Sequence, residues 1–144
     1  GVRTVAAADF FQGVYQTARA PDELLVGVEF PSRRPGQVDH FDELARRRGD
    51  YAMVGLAATA TLREGVILSP TLAWFAVSDR AMSTPATAAL LAGRRPDADT
   101  IAAARRRLAD ELDPPSDLHA DAATKRHLAG VLLGRALQQW ERAS

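Results

Sequence analysis

Residues 51–77 have the sequence YAMVGLAATATLREGVILSPTLAWFAV, two long apolar runs on either side of the polar turn Arg63-Glu64-Gly65. The alanines of Tyr51–Leu62 favour a helix, whereas its β-branched residues and the apolar run that follows favour a strand. Two apolar runs around a short glycine-containing turn are typical of a β-hairpin. We therefore predict strands over Tyr51–Leu62 and Val66–Val77.

A third strand is predicted upstream, over Glu23–Phe30, and Pro31 ends it. Apolar side chains alternate along this segment, which is the period expected of a strand with one buried face. The alternating residues are Leu24, Val26, Val28 and Phe30. The loop Pro31–Gly36 follows.

The remainder of the chain has helical signals. Thr84 before Pro85 is typical of an N-cap followed by the first helical residue, and Asp97 or Asp99 can cap a second helix. The prolines in Asp113–Asp117 separate the second helix from the third. The predicted helices run from Pro85 to Gly93, from about Thr100 to Leu112, and from about Ala120 to Arg142.

Strands followed by helices predict an α+β fold. We expect a small antiparallel sheet of three to four strands, packed against a C-terminal three-helix bundle. With 144 residues the chain has the length of one domain. Within this single domain, 1–144, we distinguish an N-terminal extension and strand (1–36), the sheet (37–83) and the helical part (84–144).

Composition excludes several classes of protein. The formal net charge is zero, whereas nucleic-acid binders that neutralise phosphates are usually basic. There is no cysteine, which excludes disulfides, thiol catalysis and thiolate metal sites in this chain. No apolar run has the ~20 residues of a membrane span. We expect a cytoplasmic protein, and the excess of arginine and alanine over lysine favours a bacterial source with a GC-rich genome.

Motifs for chemistry are few. His40, His119 and His127 have no metal-ligand spacing, so no metal site is predicted and surface or capping roles are favoured. No glycine-rich loop is present that could hold a phosphate. Trp74 lies in an apolar strand, where core packing is favoured over a pocket wall. No catalytic residue is identified.

The basic run Arg46–Arg48 either binds an anion or forms a solvated edge. On an extended chain Arg47 points away from its two neighbours, and Gly49 lets the backbone turn so that Asp50 can reach it. If Arg47 points inward, we expect a buried Arg47–Asp50 pair. If it points outward, both side chains are solvated.

Four segments resemble the C-terminal part of the FAD-binding medium subunit of molybdenum hydroxylases, which include carbon monoxide dehydrogenase flavoproteins. The resemblance covers nearly the whole chain, and FDELARRRGDYA is its most specific segment. The segments are GVRTV with DFFQG (residues 1–13), Glu23–Pro31, Phe41–Ala52, and Asp113–His119 (DPPSDLH) with Arg126-His127-Leu128.

The resemblance implies a domain that closes over FAD, with a flavin domain and with iron–sulfur and molybdenum subunits as partners. It implies that Leu25 lines the isoalloxazine and that Phe41–Asp50 lies nearby, with Glu43 where many relatives have lysine. From these family positions, and from the aromatic replacement at Trp74, we predict a cleft beside the sheet that is lined by Leu25, the 46–51 segment and Trp74. The candidate site residues are Leu25, Glu43, Arg47, Asp50, Tyr51 and Trp74.

Two departures from the family pattern leave an alternative open. The glycine-rich FAD domain is not in this sequence, so we expect little FAD binding by this chain alone. Many relatives have F-F-G-V-G-D-R-P-V-R where this chain has residues 74–83, WFAVSDRAMS. The alternative is a stand-alone descendant without FAD that binds a small apolar molecule, such as a cofactor-free cyclase or isomerase in natural-product biosynthesis.

Overall fold

A computed structural model describes residues 1–47 and 49–143. Its larger sheet has four antiparallel strands in the order β3-β4-β5-β6, and a two-stranded sheet, β1-β2, lies near the N-terminus. The elements in chain order are α1 (Ala7–Phe10), β1 (Phe11–Gly13), β2 (Gln16–Thr17), β3 (Gln37–Leu44), β4 (Val54–Arg63), β5 (Val66–Phe75), β6 (Met82–Ser83), α2 (Pro85–Leu91), α3 (Ala98–Glu111) and α4 (Ala122–Arg142).

The predicted hairpin is confirmed as β4 and β5. Its turn places Glu64 at φ 52° and Gly65 at φ 75°, left-handed conformations that suit a tight hairpin turn. Alternate residues of β4, including Leu56 and Ala58, point to the core, and Leu72 and Trp74 of β5 lie on the same side. Residues 54–62 therefore form a strand with alternating inward side chains, and not the helix that their alanine content favours.

The three predicted helices are also confirmed, and they cover one face of the sheet. Leu108 of α3 and Leu132 and Leu137 of α4 are buried with the inward side chains of the strands. The α+β class, with an antiparallel sheet against a C-terminal helical bundle, is thus the observed fold. Within the described residues no helix is long and apolar enough to cross a membrane.

Carboxylates hold the N-terminal ends of all three of these helices. Asp97 accepts from the backbone N–H of Thr100 at 2.8 Å, and Asp121 accepts from that of Thr124 at 2.7 Å. These are standard N-caps, and the bonds lower the pKa of both aspartates. At α2 the acceptor is Glu111 of α3, which binds the N–H groups of 86 and 87.

The prediction of a strand over Glu23–Phe30 is wrong, because the segment has no regular secondary structure. Its apolar side chains are exposed, with Leu24 at 84% and Phe30 at 83%. A strand needs a neighbour for its backbone groups, and no strand of the described chain pairs with this segment. The apolar side chains do alternate along the segment, but the described residues do not bury them.

Candidate functional site

One wall of the candidate site is the loop that joins β3 to β4. The backbone N–H of Met53 donates to Leu44 O at 2.8 Å and closes the base of this loop. At its tip the N–H of Asp50 donates to Arg47 O at 3.2 Å. Gly49 has φ 89°, and a Cβ there would meet nothing within 4 Å, so the glycine is needed for its conformation rather than for space.

The opposite wall is the segment between α3 and α4, which the prolines keep out of helical conformation. The Oδ1 atom of Asp117 accepts from the N–H of His119 at 2.8 Å and from that of Ala120 at 3.0 Å. Its Oδ2 atom accepts from Lys125 Nζ at 2.6 Å. These bonds, that of Lys125 first, hold the pKa of Asp117 far below its ordinary value.

The two walls meet at an open pocket of about 310 Å³, lined by Arg46, Gly49, Asp50, Tyr51 and His119. Guanidinium and imidazole N–H groups and the phenol of Tyr51 can donate hydrogen bonds there. The Tyr51 side chain is 94% exposed, so its aromatic ring is free to receive a flat partner. The pocket thus suits a planar group with acceptor atoms on its edge.

The structure brings only part of the predicted site together. Asp50 and Tyr51 line the pocket, whereas Arg47, the chain neighbour of the lining residue Arg46, is not among the lining residues. Glu43 is exposed on strand β3, and Leu25, at 60% exposure, belongs to the N-terminal segment. Neither of these two is among the lining residues.

The expectation that Trp74 forms a cleft wall is corrected, since the residue is fully buried. Its indole Nε1–H donates to Thr84 Oγ1 at 2.9 Å. The buried hydrogen bond satisfies the one polar atom of the indole and fixes the ring in the core. It also explains why Thr84, although it precedes α2 as predicted, makes no side-chain cap bond to that helix.

The buried Arg47–Asp50 pair is likewise corrected, because both side chains are exposed. Their contact is the backbone bond of the loop tip. With Gly49 in the left-handed region the loop turns outward, and water solvates both charges. Arg48 lies outside the described residues.

Sequence reasoning missed His119 as a site residue. No metal spacing or local period could identify it, because it meets residues about 70 positions away. The available signal was the motif DPPSDLH, which, like Phe41–Ala52, belongs to the family pattern. The structure shows that these two motifs meet at the pocket, which neither motif indicates by itself.

A second feature lies on the sheet face that points away from the helices. Phe41 of β3 and Phe75 of β5 stack with ring centroids 5.6 Å apart and planes 13° apart. Gly55 of β4 lies beneath, and a Cβ there would come within 1.9 Å of the Phe75 ring. The glycine therefore makes room for the aromatic stack, which leaves Phe41 68% exposed.

The N-terminal segment is held at its base by a bidentate ion pair. Arg3 Nε lies 2.6 Å from Glu23 Oε1, and Arg3 Nη2 lies 2.7 Å from Glu23 Oε2. The backbone N–H of Ala20 donates to the same carboxylate at 2.6 Å. Arg3 first, and then this N–H group, lower the pKa of Glu23 to about 2. The pair fixes the start of the exposed segment that carries Leu25.

Comparison with known sequences assigns most of the chain to one family. Residues 39–140 match the CO dehydrogenase flavoprotein C-terminal domain. The carbon monoxide dehydrogenase medium chain of Afipia carboxidovorans is 30% identical over 139 residues, which are 96% of this chain and 48% of the relative. The nicotine 6-hydroxylase medium subunit of Paenarthrobacter nicotinovorans is 30% identical over 137 residues, 95% of this chain and 48% of the relative.

Solved structures agree with these matches. A reconstituted CO dehydrogenase from Oligotropha carboxidovorans superposes with a TM-score of 0.90 at 29% identity, over 99% of this chain and 50% of that one. Quinoline 2-oxidoreductase from Pseudomonas putida 86 gives a TM-score of 0.88 at 35% identity, with the same coverage of 99% and 50%. The chain spans about half the length of the relatives it matches.

Proposed function

Because the chain belongs to the CO dehydrogenase flavoprotein C-terminal domain family, we propose that it serves in the FAD-binding medium subunit of a molybdenum hydroxylase-type oxidoreductase. There it closes over FAD and supports electron transfer, with iron–sulfur and molybdenum subunits as partners. The observation that carries the proposal is the pocket where both family-like loops meet, with Tyr51 and His119 on opposite walls.

The pocket fits one side of a flavin. The exposed Tyr51 ring offers a flat face to a planar ring system, while Arg46 and His119 offer N–H donors to acceptor atoms on its edge. When bound, FAD supplies the electron-transfer chemistry. The residues of this chain orient the flavin and exclude water from one side of it.

The pyrophosphate of FAD does not fit this chain. Such a group is usually held by free N–H groups at a helix N-terminus. Here the N-termini of α3, α4 and α2 are occupied by the carboxylates of Asp97, Asp121 and Glu111, which also repel a phosphate. We propose that a second domain holds the pyrophosphate and also covers the exposed segment 24–30.

The first experiment determines whether the reading frame continues upstream of Gly1. We expect a flavin-binding half in frame, and a chain expressed from the whole frame should retain FAD. The 144-residue chain, titrated with FAD and followed by flavin fluorescence, should give no saturation below about 1 μM. A submicromolar dissociation constant for this chain, or a start codon beside Val2, would overturn the proposal.

The role of the pocket is tested in the whole chain by FAD affinity. Tyr51→Ala should weaken binding about 2- to 10-fold, since an aromatic stack contributes roughly 0.5–1.5 kcal/mol, and Tyr51→Phe should retain most of it. Arg46→Ala should also weaken binding. Its matched control is Arg63→Ala at the far end of β4, about 30 Å away by strand rise. Equal losses in Arg46→Ala and Arg63→Ala would contradict the assignment.

The stand-alone cyclase or isomerase receives no support from the described residues, and the relatives reported above are oxidoreductase subunits. The cytoplasmic location predicted from the sequence is part of the proposal. Fractionation of the source cells checks it.

A further inference from the structure

The side chain of Lys125, the single lysine of the chain, is 3% exposed in the first turn of α4. Its ammonium group contacts two elements at once. It lies 2.6 Å from Asp117 Oδ2 in the α3–α4 segment and donates to Ala76 O, at the end of β5, at 3.3 Å. Burying an ammonium group costs desolvation free energy, so we ask what the contacts of this lysine with the core and the loop achieve.

The role of Lys125 follows from the hydrogen bonds that the other carboxylate oxygen of Asp117 makes. Oδ1 receives the N–H groups of His119 and Ala120, so the carboxylate fixes the backbone on which the His119 side chain is mounted. Asp117 is itself 43% exposed, and its bonds to His119 and Ala120 lie within the loop, whereas its bond to Lys125 connects it to a buried group. Lys125 thus ties the loop to the end of a core strand through one carboxylate.

We propose that Lys125 is a positioning residue of the pocket, which through Asp117 holds His119 opposite Arg46 and Tyr51. The inference rests on the proposed function for the meaning of the pocket, but its mechanical part does not require a flavin. The link runs from the core to Lys125, from Lys125 to Asp117, and from Asp117 to the His119 backbone.

The test measures backbone order in the 144-residue chain by ¹⁵N NMR relaxation. Lys125→Met removes the ammonium while an unbranched side chain still fills the space. The order parameter of His119 should fall from a rigid value of about 0.85 to below about 0.6, while that of Leu132 in the core stays unchanged. Lys125→Arg should keep His119 ordered, because a guanidinium can donate to the same Asp117 carboxylate.

The matched control is Arg126→Met. Arg126 neighbours Lys125 and bonds Leu112 O and Asp113 at the other end of the same segment, so its loss should leave His119 ordered. If Lys125→Met proves hard to fold, Asp117→Asn breaks the same ion pair and should give the same loss of order. An ordered His119 in either variant, or equal loss at His119 and Leu132, would overturn the inference.

Flavin retention by the whole chain is a separate readout. A mobile His119 together with reduced FAD affinity supports both proposals. A mobile His119 in a whole chain that never binds FAD supports the positioning role and defeats only the proposed function.

Discussion

Ala76 has a backbone conformation that its methyl group disfavours. The residue directly follows β5 with φ 62°, in the left-handed region that suits glycine, and the family pattern that residues 74–83 resemble has glycine at this position. Its carbonyl receives Lys125 Nζ, and the neighbouring Trp74 is fixed in the core, so the surroundings hold the conformation. We expect Ala76→Gly to stabilise the protein.

The magnitude follows from two opposing terms. An alanine in the left-handed region costs roughly 1–2 kcal/mol, which glycine avoids. Glycine adds conformational entropy to the unfolded chain and loses roughly 0.4–1 kcal/mol. The free energy of unfolding should therefore rise by about 0.8 kcal/mol, and the melting temperature by about 3 °C.

The assay is a pair of denaturant melts with a matched control. Ala73→Gly removes a methyl group within β5, three residues earlier, at a residue that pairs with Ala57 and Ser83 and is not in the left-handed region. That variant should lose roughly 0.5–1 kcal/mol, the usual cost of glycine inside a strand. If Ala76→Gly destabilises as much as Ala73→Gly does, strain at Ala76 is refuted.

Three further outcomes follow from the contacts above. Because the pKa of Glu23 is lowered, its pair with Arg3 should be fully present above the ordinary pKa near 4.5 and should be lost as the pH falls toward about 2. NMR should then show the base of the N-terminal segment losing order in this pH range, whereas Glu23→Gln should lack that order at every pH. Gly55→Ala should cost roughly 1–3 kcal/mol in a melt because its Cβ meets the Phe75 ring, and much less in a Phe75→Ala background. Asp50→Ala should cost under about 1 kcal/mol, whereas a loss of roughly 3–5 kcal/mol would indicate a buried pair after all.

Local patterns predicted those elements whose partners are near in sequence. The hairpin of β4 and β5 needs only a turn at Glu64-Gly65 and two apolar runs, and its strands bury each other's backbone groups. The helices likewise carry their own signals, since Asp97 caps α3 by a bond to a residue three positions away. Such features depend on short-range geometry, which a sequence records directly.

Features that depend on residues distant in sequence could not be predicted from local patterns. No local pattern near Thr84 indicates that its hydroxyl bonds Trp74 rather than its own helix, and the motif around His119 does not specify which loop it meets. Arg47 and Asp50 had two possible environments, and the choice depended on which way Gly49 turned the chain. Each was decided by packing between elements, which periodicity does not specify.

The failed strand prediction at Glu23–Phe30 is of a different kind, because the segment has the alternating pattern of a strand but pairs with no described strand. Twelve large hydrophobic residues are exposed in the described chain, and nine of them lie between Val2 and Phe30. The other three are Tyr51 in the pocket, Leu118 beside His119, and Phe41 on the outer sheet face. Single exposed apolar residues are ordinary, but a concentration in one segment is typical of a surface that another body covers. The family match begins at residue 39, after this segment, and the chain spans about half the length of the relatives it matches. The alternating pattern without a partner strand therefore supports the proposal that a second domain covers this segment.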